Sequence, residues 1–352
     1  MKLCKTTDLK GGEVLAKAVM TPEFQVLLSD GITLRPEYIE KIIELGVTEV
    51  YIKEDEIYHQ QRLLLKADLE SSFHNKLKKI LEKHTYQRNA ELKELSQTAD
   101  SIISSILEEK EIVDRIYDIR ERSADIYDHS VSICSLATLT ALKLKLPQES
   151  VHDIAVGCLL HDLGLRYLTI PYENMDVESL SVQETTEYKK HPIYAFTVLK
   201  DEKWISDLSK KIILHHHEKM DGMGYPLRLK GRDLPIEAKI VIVCDTFDEM
   251  ICGIGCKRQK VYRAVEYLKT FRGIKFDGKV VDAFLEFTAV YPVGSNILLS
   301  DGSIGRVIRQ NKEFPDRPVL QLLQDAKGNK VSGEIIADLL KINNVFVEKV
   351  LE

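Results

Sequence analysis

The chain has 352 residues, 44% hydrophobic and 30% charged, with a net charge of −6 at pH 7; this is the make-up of a folded globular protein with room for two or three domains, not of a disordered one. The negative balance argues against a nucleic-acid polymer as partner, and leaves any small anionic ligand to be held by metals or a few local cations. No apolar run approaches the roughly 20 residues that span a bilayer, the start Met-Lys-Leu-Cys-Lys-Thr-Thr-Asp is no signal peptide, and the six cysteines include no Cys-x-x-Cys pair, so free thiols in a reducing cytoplasm are expected.

Residues 1–60 read as a small α/β module. Leu15–Met20 and Gln25–Leu28 look like short strands; Pro36 starts a helix whose Ile39, Ile42, Ile43 and Leu45 fit one face; Gly46 stops it and Val47–Ile52 returns as a strand. The module holds no catalytic constellation, and a regulatory role and a purely structural one fit it equally. Between Val47 and Leu146 there is neither Gly nor Pro, which argues for long helices. Residues 61–112 are a helical connector in which Leu77, Ile80, Leu81 and His84 make a packing stripe, open to intrachain packing or to a homodimer. His59, His74 and His84 read as surface residues.

The segment 113–290 carries the chemistry. Asp125 and His129 are four apart, on one face of a helix running to Leu144. Ser150 is placed to cap the next helix, Val151 to Leu163, with Gly164 as its C-cap and His161-Asp162 on its last turn. His152-Asp153 has the same spelling in the first turn, where a polar pair is ordinary. Residues 166–190 form a polar loop with a short helix, and His191-Pro192 reads as N-cap and first helical position. A helix from Ser206 to Glu218 delivers His215, His216 and His217 at its C-terminal end, where the dipole favours a cation. Asp221-Gly222-Met223-Gly224-Tyr225-Pro226 is a tight loop, and Pro235 opens a helix with Asp245 in its middle and Asp248 three residues on. Helices follow at Val261–Leu268 and Val280–Phe287. Residues 291–352 alternate like strands, at Ile297–Leu299, Gly305–Ile308, Val319–Leu323 and Val345–Val350, in a small β-rich module read as a packing or docking unit.

Seven of the ten histidines fall between His129 and His217. Imidazoles and carboxylates without nearby cysteine form a nitrogen–oxygen donor set that suits iron, manganese, zinc or nickel. The pairing of Asp162 with two groups of histidines suggests more than one metal. Two adjacent metals commonly cleave phosphodiesters, one toward the nucleophile and one toward the leaving oxygen.

His161-Asp162 followed by His216-His217-Glu218…Asp221-Gly222…Gly224-Tyr225-Pro226 resembles the HD-GYP family, a branch of the HD-domain metallohydrolases, over roughly residues 113–290. The resemblance implies a mainly α protein with an all-helical catalytic domain and two transition-metal ions, iron or manganese. It also implies hydrolysis of the bacterial messenger cyclic di-GMP to pGpG or GMP. By the family pattern, one metal takes His129, His161, Asp162 and Asp245. Asp162 bridges to a second metal held by His191, His216 and His217, and His161 and Asp162 form the catalytic pair. A third metal, bound in some members through a glutamate four residues before the first histidine, would fall to Asp125. Three departures concern phosphate contacts. Leu165 replaces a lysine, with Arg166 next to it; Lys239 replaces an arginine; Ile254-Gly255-Cys256 replaces Arg-Pro-Tyr. Alternative readings are a protein that binds cyclic dinucleotide, or a signalling partner at the Gly-Tyr-Pro loop, without turnover, and a phosphodiesterase for another cyclic dinucleotide.

Overall fold

The structure is a computed structural model that describes residues 2–20, 26–53, 64–87, 90–108, 116–119, 121–311, 314–331 and 333–351. The chain divides into two units, Met1–His59 with Glu121–Ser123, and Gln60–Arg120 with Ala124–Glu352.

In the first unit, β1 (Lys2–Lys5) pairs antiparallel with β4 (Glu49–Ile52), and β2 (Val19–Met20) with β3 (Val26–Leu28). Helix α1 (Pro36–Glu44) begins at the anticipated proline. Leu15, Val19, Leu34, Ile39, Ile42, Val50 and Ile52 form a small core of their own. The expected first strand is shorter than its apolar run: Leu15 is buried as an isolated bridge to Ile52, and only Val19–Met20 forms a strand. Gln25 lies outside the described residues. The helix face is narrower than its sequence suggested, with Ile43 and Leu45 exposed. Gly46 turns the chain with φ +79°, a region that glycine enters without penalty. Strand β1 was not expected, because Lys-Leu-Cys-Lys is too short and polar to announce itself.

The second unit is mainly helical. Helices α2 (Ala67–Gln87) and α3 (Glu94–Leu107) lead to α4 (Ile126–Lys143), α5 (Gln148–Leu160), α6 (Val182–Tyr188), α7 (His191–Leu199), α8 (Asp207–His215), α9 (Ile236–Cys252), α10 (Val261–Thr270) and α11 (Gly278–Leu285). Helix α4 packs on α5 and α9, and α5 on α8, around one apolar core. Leu77, Ile80 and Leu81 belong to that core and His84 is buried with them, so the stripe packs within the chain rather than against a second copy. The surface reading of His84 is therefore wrong, while His74 is half-buried, with its Nδ1 2.7 Å from Asp128 Oδ1. His59 lies outside the described residues. No helix among the described residues is long and apolar enough to cross a membrane, and all six cysteines are free.

The unit ends in an antiparallel five-stranded sheet of order β8-β7-β6-β5-β9, built from β5 (Asn296–Leu299), β6 (Ile304–Arg309), β7 (Val319–Gln324), β8 (Ile336–Asp338) and β9 (Val347–Leu351). The alternation of buried and half-buried residues in β5 and β6 is the period-two pattern of a sheet with one covered face. β8 escaped the sequence reading because only Ala337 of its three residues is buried. Helix ends also differ from expectation. Pro147, not Ser150, precedes the first turn of α5, and Ser150 Oγ instead donates to Glu237 Oε1 at 3.0 Å. Lys190 is the N-cap of α7, so His191 is already helical.

Candidate metal centre

Helix α5 stops at Leu160, and His161–Tyr167 continues as a 3-10 segment. Gly164 is not the left-handed C-cap that its position suggested. Its requirement is a close approach: a Cβ there would stand 1.9 Å from the carbonyl oxygen of His191, so only glycine lets the start of α7 sit against this segment. That approach brings His191 to His161-Asp162. Ser206 caps α8 by accepting from the Ser209 amide at 3.0 Å, and the helix ends at His215, leaving His216 and His217 on the following turn. Helix α4 contributes His129 and α9 contributes Asp245.

These side chains meet in the interior, none more than 5% exposed. The Nδ1–H groups of three histidines donate to the carbonyl three residues earlier: His161 to Cys158 at 2.7 Å, His191 to Tyr188 at 2.8 Å and His216 to Ile213 at 2.8 Å. With the proton on Nδ1, each Nε2 presents a lone pair inward. His191 Nε2 is nonetheless 3.1 Å from His216 Nε2 and 3.0 Å from His217 Nε2. Lone pairs converging at that distance repel unless a cation lies among them. Asp162 spans the centre. Its Oδ2 faces His161 Nε2 at 3.3 Å and His129 Nε2 at 3.6 Å, and its Oδ1 faces His191 Nε2 at 3.4 Å and His216 Nε2 at 3.7 Å. Asp245 Oδ1 completes the first group, 3.2 Å from His129 Nε2 and 3.5 Å from His161 Nε2.

The donor set fits metal ions on a further ground. The Nε2 atoms of His129 and His161 and both carboxylate oxygens of Asp245 are buried with no hydrogen-bond partner among the described residues. Buried polar atoms left so are costly, by about 1–3 kcal/mol each, and cations at the two foci of the cluster would satisfy them. The electrostatics agree. Burial pushes the His216 imidazole down to about 3 and pushes those of His191 and His217 down as well, which keeps them neutral ligands. Burial also opposes charge on His161, but the carboxylates of Asp162 and Asp245 outweigh it and raise its pKa, so that position attracts positive charge, which a proton or a metal ion on Nε2 would supply. Burial would raise both aspartates, and the surrounding imidazoles overcome it and hold them well below the usual carboxylate range. The cluster is a water-poor cage in which two buried carboxylates face the inward Nε2 atoms of the histidines, a donor set that positive charge would satisfy.

Around the cage the structure adds residues whose role the sequence left unassigned. Asp248 Oδ2 accepts from His129 Nδ1 at 2.7 Å, and its Oδ1 accepts from Ser132 Oγ at 2.8 Å, so it fixes the ring of a ligand as carboxylates commonly do behind metal-bound histidines. Its three-residue spacing from Asp245 was the available signal. Glu218 accepts the amides of Leu227 at 2.7 Å and Leu229 at 2.9 Å, and so ties the Gly-Tyr-Pro loop to the end of the histidine run. Gly222 turns that loop with φ +78°. A Cβ on Gly224 would lie 2.4 Å from Glu218 Cα, so glycine is again required. Asp221 Oδ1 accepts from the Met223 amide at 2.9 Å. The Tyr225-Pro226 bond is cis, and the Tyr225 ring lies on His217 with centroids 4.6 Å apart.

Other expected residues stand elsewhere. Asp125 caps α4, accepting from the amides of Tyr127 and Asp128 at 2.9 Å, and lies 3.5 Å from His74 rather than among the cage ligands. Leu165 is buried with Val177, Tyr188, Cys252 and Ile254, an apolar pocket rather than a phosphate-facing position. Arg166 donates to the Tyr127 hydroxyl and sits over its ring, and Lys239 pairs with Asp277 at 3.5 Å. His152 lies 3.1 Å from Ser96 Oγ on the outer side of α5. His215 is buried but outside the cage.

A family model described as HD domain matches residues 79–280, and one described as KOW domain associated with HD domain matches residues 296–352. The chain is 28% identical over 245 residues to a cyclic di-GMP phosphodiesterase of Pseudomonas aeruginosa, covering 69% of this chain and 59% of that protein. It is 28% identical to a cyclic di-GMP phosphodiesterase of Thermotoga maritima over 72% of this chain and 70% of the relative. It is 27% identical to a 3'3'-cGAMP-specific phosphodiesterase of Vibrio cholerae over 69% and 46%. The chain thus matches under two thirds of the length of the Pseudomonas and Vibrio relatives.

Proposed function

This chain belongs to the HD domain family, and we propose that it is a metal-dependent phosphodiesterase that hydrolyses cyclic di-GMP. The observation that carries the reading is the pair of donor groups sharing Asp162, with histidine lone pairs converging on each. One ion would take His129, His161, Asp162 and Asp245, and the other Asp162, His191, His216 and His217. The nitrogen–oxygen set suits iron, manganese, zinc or nickel, and the family resemblance favours iron or manganese among them. Such ions, when bound, lower the pKa of water and neutralise charge on phosphoryl oxygens.

The chain's own residues prepare that chemistry. The Cys158, Tyr188 and Ile213 carbonyls lock three imidazoles in the ligating tautomer, and Asp248 does the same for His129. The small exposure of the ligands keeps the site poor in water, which strengthens every charge interaction in it. Glu218 anchors the loop whose Tyr225 covers His217. The overall reaction adds water across one P–O bond of the ring to give pGpG, and a second cut gives GMP. Met223 and Leu227, both exposed on the loop, offer a signalling partner an apolar surface beside the site.

The relatives include a protein specific for 3'3'-cGAMP, so substrate choice is tested directly. Protein purified without oxygen is analysed for metal and assayed in parallel on cyclic di-GMP, 3'3'-cGAMP and cyclic di-AMP. About two metal ions per chain and fastest turnover of cyclic di-GMP are expected. Well under one ion after reconstitution with iron or manganese overturns the metal reading. Metal without turnover of any of the three identifies a binding protein, and preference for another ring overturns the substrate.

A further inference from the structure

The connector helix α2 does more than bury its apolar stripe. His74, Lys78 and Glu82 follow one another at four-residue intervals and so share a second face. All three converge on Tyr127, a buried residue on the first turn of α4, two positions ahead of His129. The His74 ring stands edge-on to the Tyr127 ring with centroids 5.7 Å apart, and Lys78 Nζ lies 5.7 Å from the ring centroid. The Tyr127 hydroxyl donates to Glu82 Oε1 at 3.5 Å. His74 reaches one residue further: its Nδ1 donates to Asp128 Oδ1 at 2.7 Å and lies 3.5 Å from Oδ1 of Asp125, the oxygen that caps α4. The turn that leads into His129 is therefore held by α2.

Tyr127 also joins that turn to the other element that bears ligands. Arg166 lies four residues beyond Asp162 in the segment His161–Tyr167. It donates to the Tyr127 hydroxyl, with its guanidinium carbon 5.8 Å from the ring centroid. One hydroxyl thus accepts from Arg166 and donates to Glu82. A shift of α2 would move Tyr127, and with it the elements that carry His129 on one side and His161-Asp162 on the other. The path of the chain places α2 and α4 where an input would arrive. The chain leaves the first unit at His59 on its way to α2, and leaves it again at Ser123, just ahead of α4. Ser123 is held within that unit, its amide donating to the Tyr51 hydroxyl at 3.1 Å.

We infer that α2 is a regulatory lever on the metal cage. Through Tyr127 and His74 it sets how firmly His129, His161 and Asp162 hold their ion, and so tunes metal retention and turnover without touching a ligand. The inference rests on the two-ion reading above.

The test separates metal affinity from folding. Affinity for Mn²⁺ is measured by competition with a chelator, well below the melting temperature of the metal-free protein, where a loss of stability alone leaves affinity untouched; turnover of cyclic di-GMP is measured alongside. His74→Ala and Tyr127→Phe are expected to lose affinity by about two- to thirtyfold, the range of coupling carried by residues that contact neither partner. Glu82→Gln should weaken affinity in the wild type and change nothing further in Tyr127→Phe, because the hydroxyl through which it acts is gone. Lys79→Ala, exposed on another face of α2, is expected to match the wild type. Unchanged affinity in His74→Ala and Tyr127→Phe overturns this inference and leaves the two-ion reading standing. A Glu82→Gln effect of equal size in both backgrounds, or a Lys79→Ala loss as large as that of His74→Ala, overturns it too. A wild type that binds metal without turnover overturns the enzymatic reading alone, since the affinities still decide this one. A wild type that binds no metal overturns both. If His74→Ala does not fold, Tyr127→Phe and the Glu82→Gln pair give the answer.

Discussion

Helix α5 and its continuation carry the same dipeptide at two places, His152-Asp153 and His161-Asp162, and the two have different fates. His152 sits on the outer face, its side chain 32% exposed, within 3.6 Å of Asp100 and close to Ser96. His161 is wholly buried, donates Nδ1–H to Cys158 and turns Nε2 toward Asp162 and Asp245. The dipeptide therefore does not make the site. What distinguishes the second copy is what other elements bring to it: His129 from α4, Asp245 from α9, and His191 and His216 from around α7 and α8. Each is admitted by a local feature, such as Gly164, which lets α7 approach.

The largest effect that could break this comparison belongs to His161→Ala. It removes a donor that Asp162 and Asp245 both face. It should cost more than the roughly 100-fold in metal affinity that loss of a supporting partner costs. Elemental analysis and turnover should fall together; a variant that keeps its metal would show that the ions sit elsewhere.

Leu165→Lys comes next. By the family resemblance a lysine at this position would meet a substrate phosphate. The apolar pocket of Val177, Tyr188, Cys252 and Ile254 changes the expectation. The variant loses a packed side chain and must bury an ammonium group, a cost of about 3–5 kcal/mol, or a fall of roughly 10 °C in melting temperature for a unit of this size. Scanning calorimetry reads this directly. Unchanged stability with improved turnover would restore the phosphate-contact reading.

How much was legible follows from which residues act locally. The run without Gly or Pro announced long helices, and the His and Asp cluster stood out along the chain, while the grouping of its members around two ions came from the family resemblance. The assignments that failed depended on distant partners. Gly164 looked like a helix cap because its neighbours in sequence end a helix, but its constraint is the His191 carbonyl. Ser150 looked like a cap, but α5 already begins at Gln148 and the hydroxyl donates to Glu237 instead. Asp125 shares a helical face with His129 in sequence, yet the backbone amides of its own first turn claim its side chain. Asp248 was visible only as a spacing on α9, because its role needs His129 to be in place.

Asp248→Asn sharpens the comparison from the supporting layer. Asp248 uses one oxygen for His129 and the other for Ser132. Asparagine keeps a single acceptor and presents an amide to the other donor. Metal affinity should drop about 10–100-fold while the fold persists. Competition against a chelator measures it, and an unchanged affinity would mean that His129 is oriented without this carboxylate.

The smallest effect should come from His152→Ala. The lost contacts are one hydrogen bond to Ser96 and weak ion pairs with Asp100 and Asp153, at 3.6 and 4.0 Å. Exposed pairs of this kind contribute between nothing and about 1 kcal/mol, and Ser96 and Asp100 are solvent-accessible enough for water to replace the imidazole. The site should not feel the change, since His152 precedes His161 by about 13 Å along the helix at 1.5 Å per residue. Metal content should match the wild type and turnover should stay within about twofold, the equivalent of a few tenths of a kcal/mol. If His152→Ala instead loses metal as His161→Ala does, the position of α5 must depend on the Ser96 contact with α3. The cage would then owe its geometry to the outer face of the helix as well as to the elements that converge on its end.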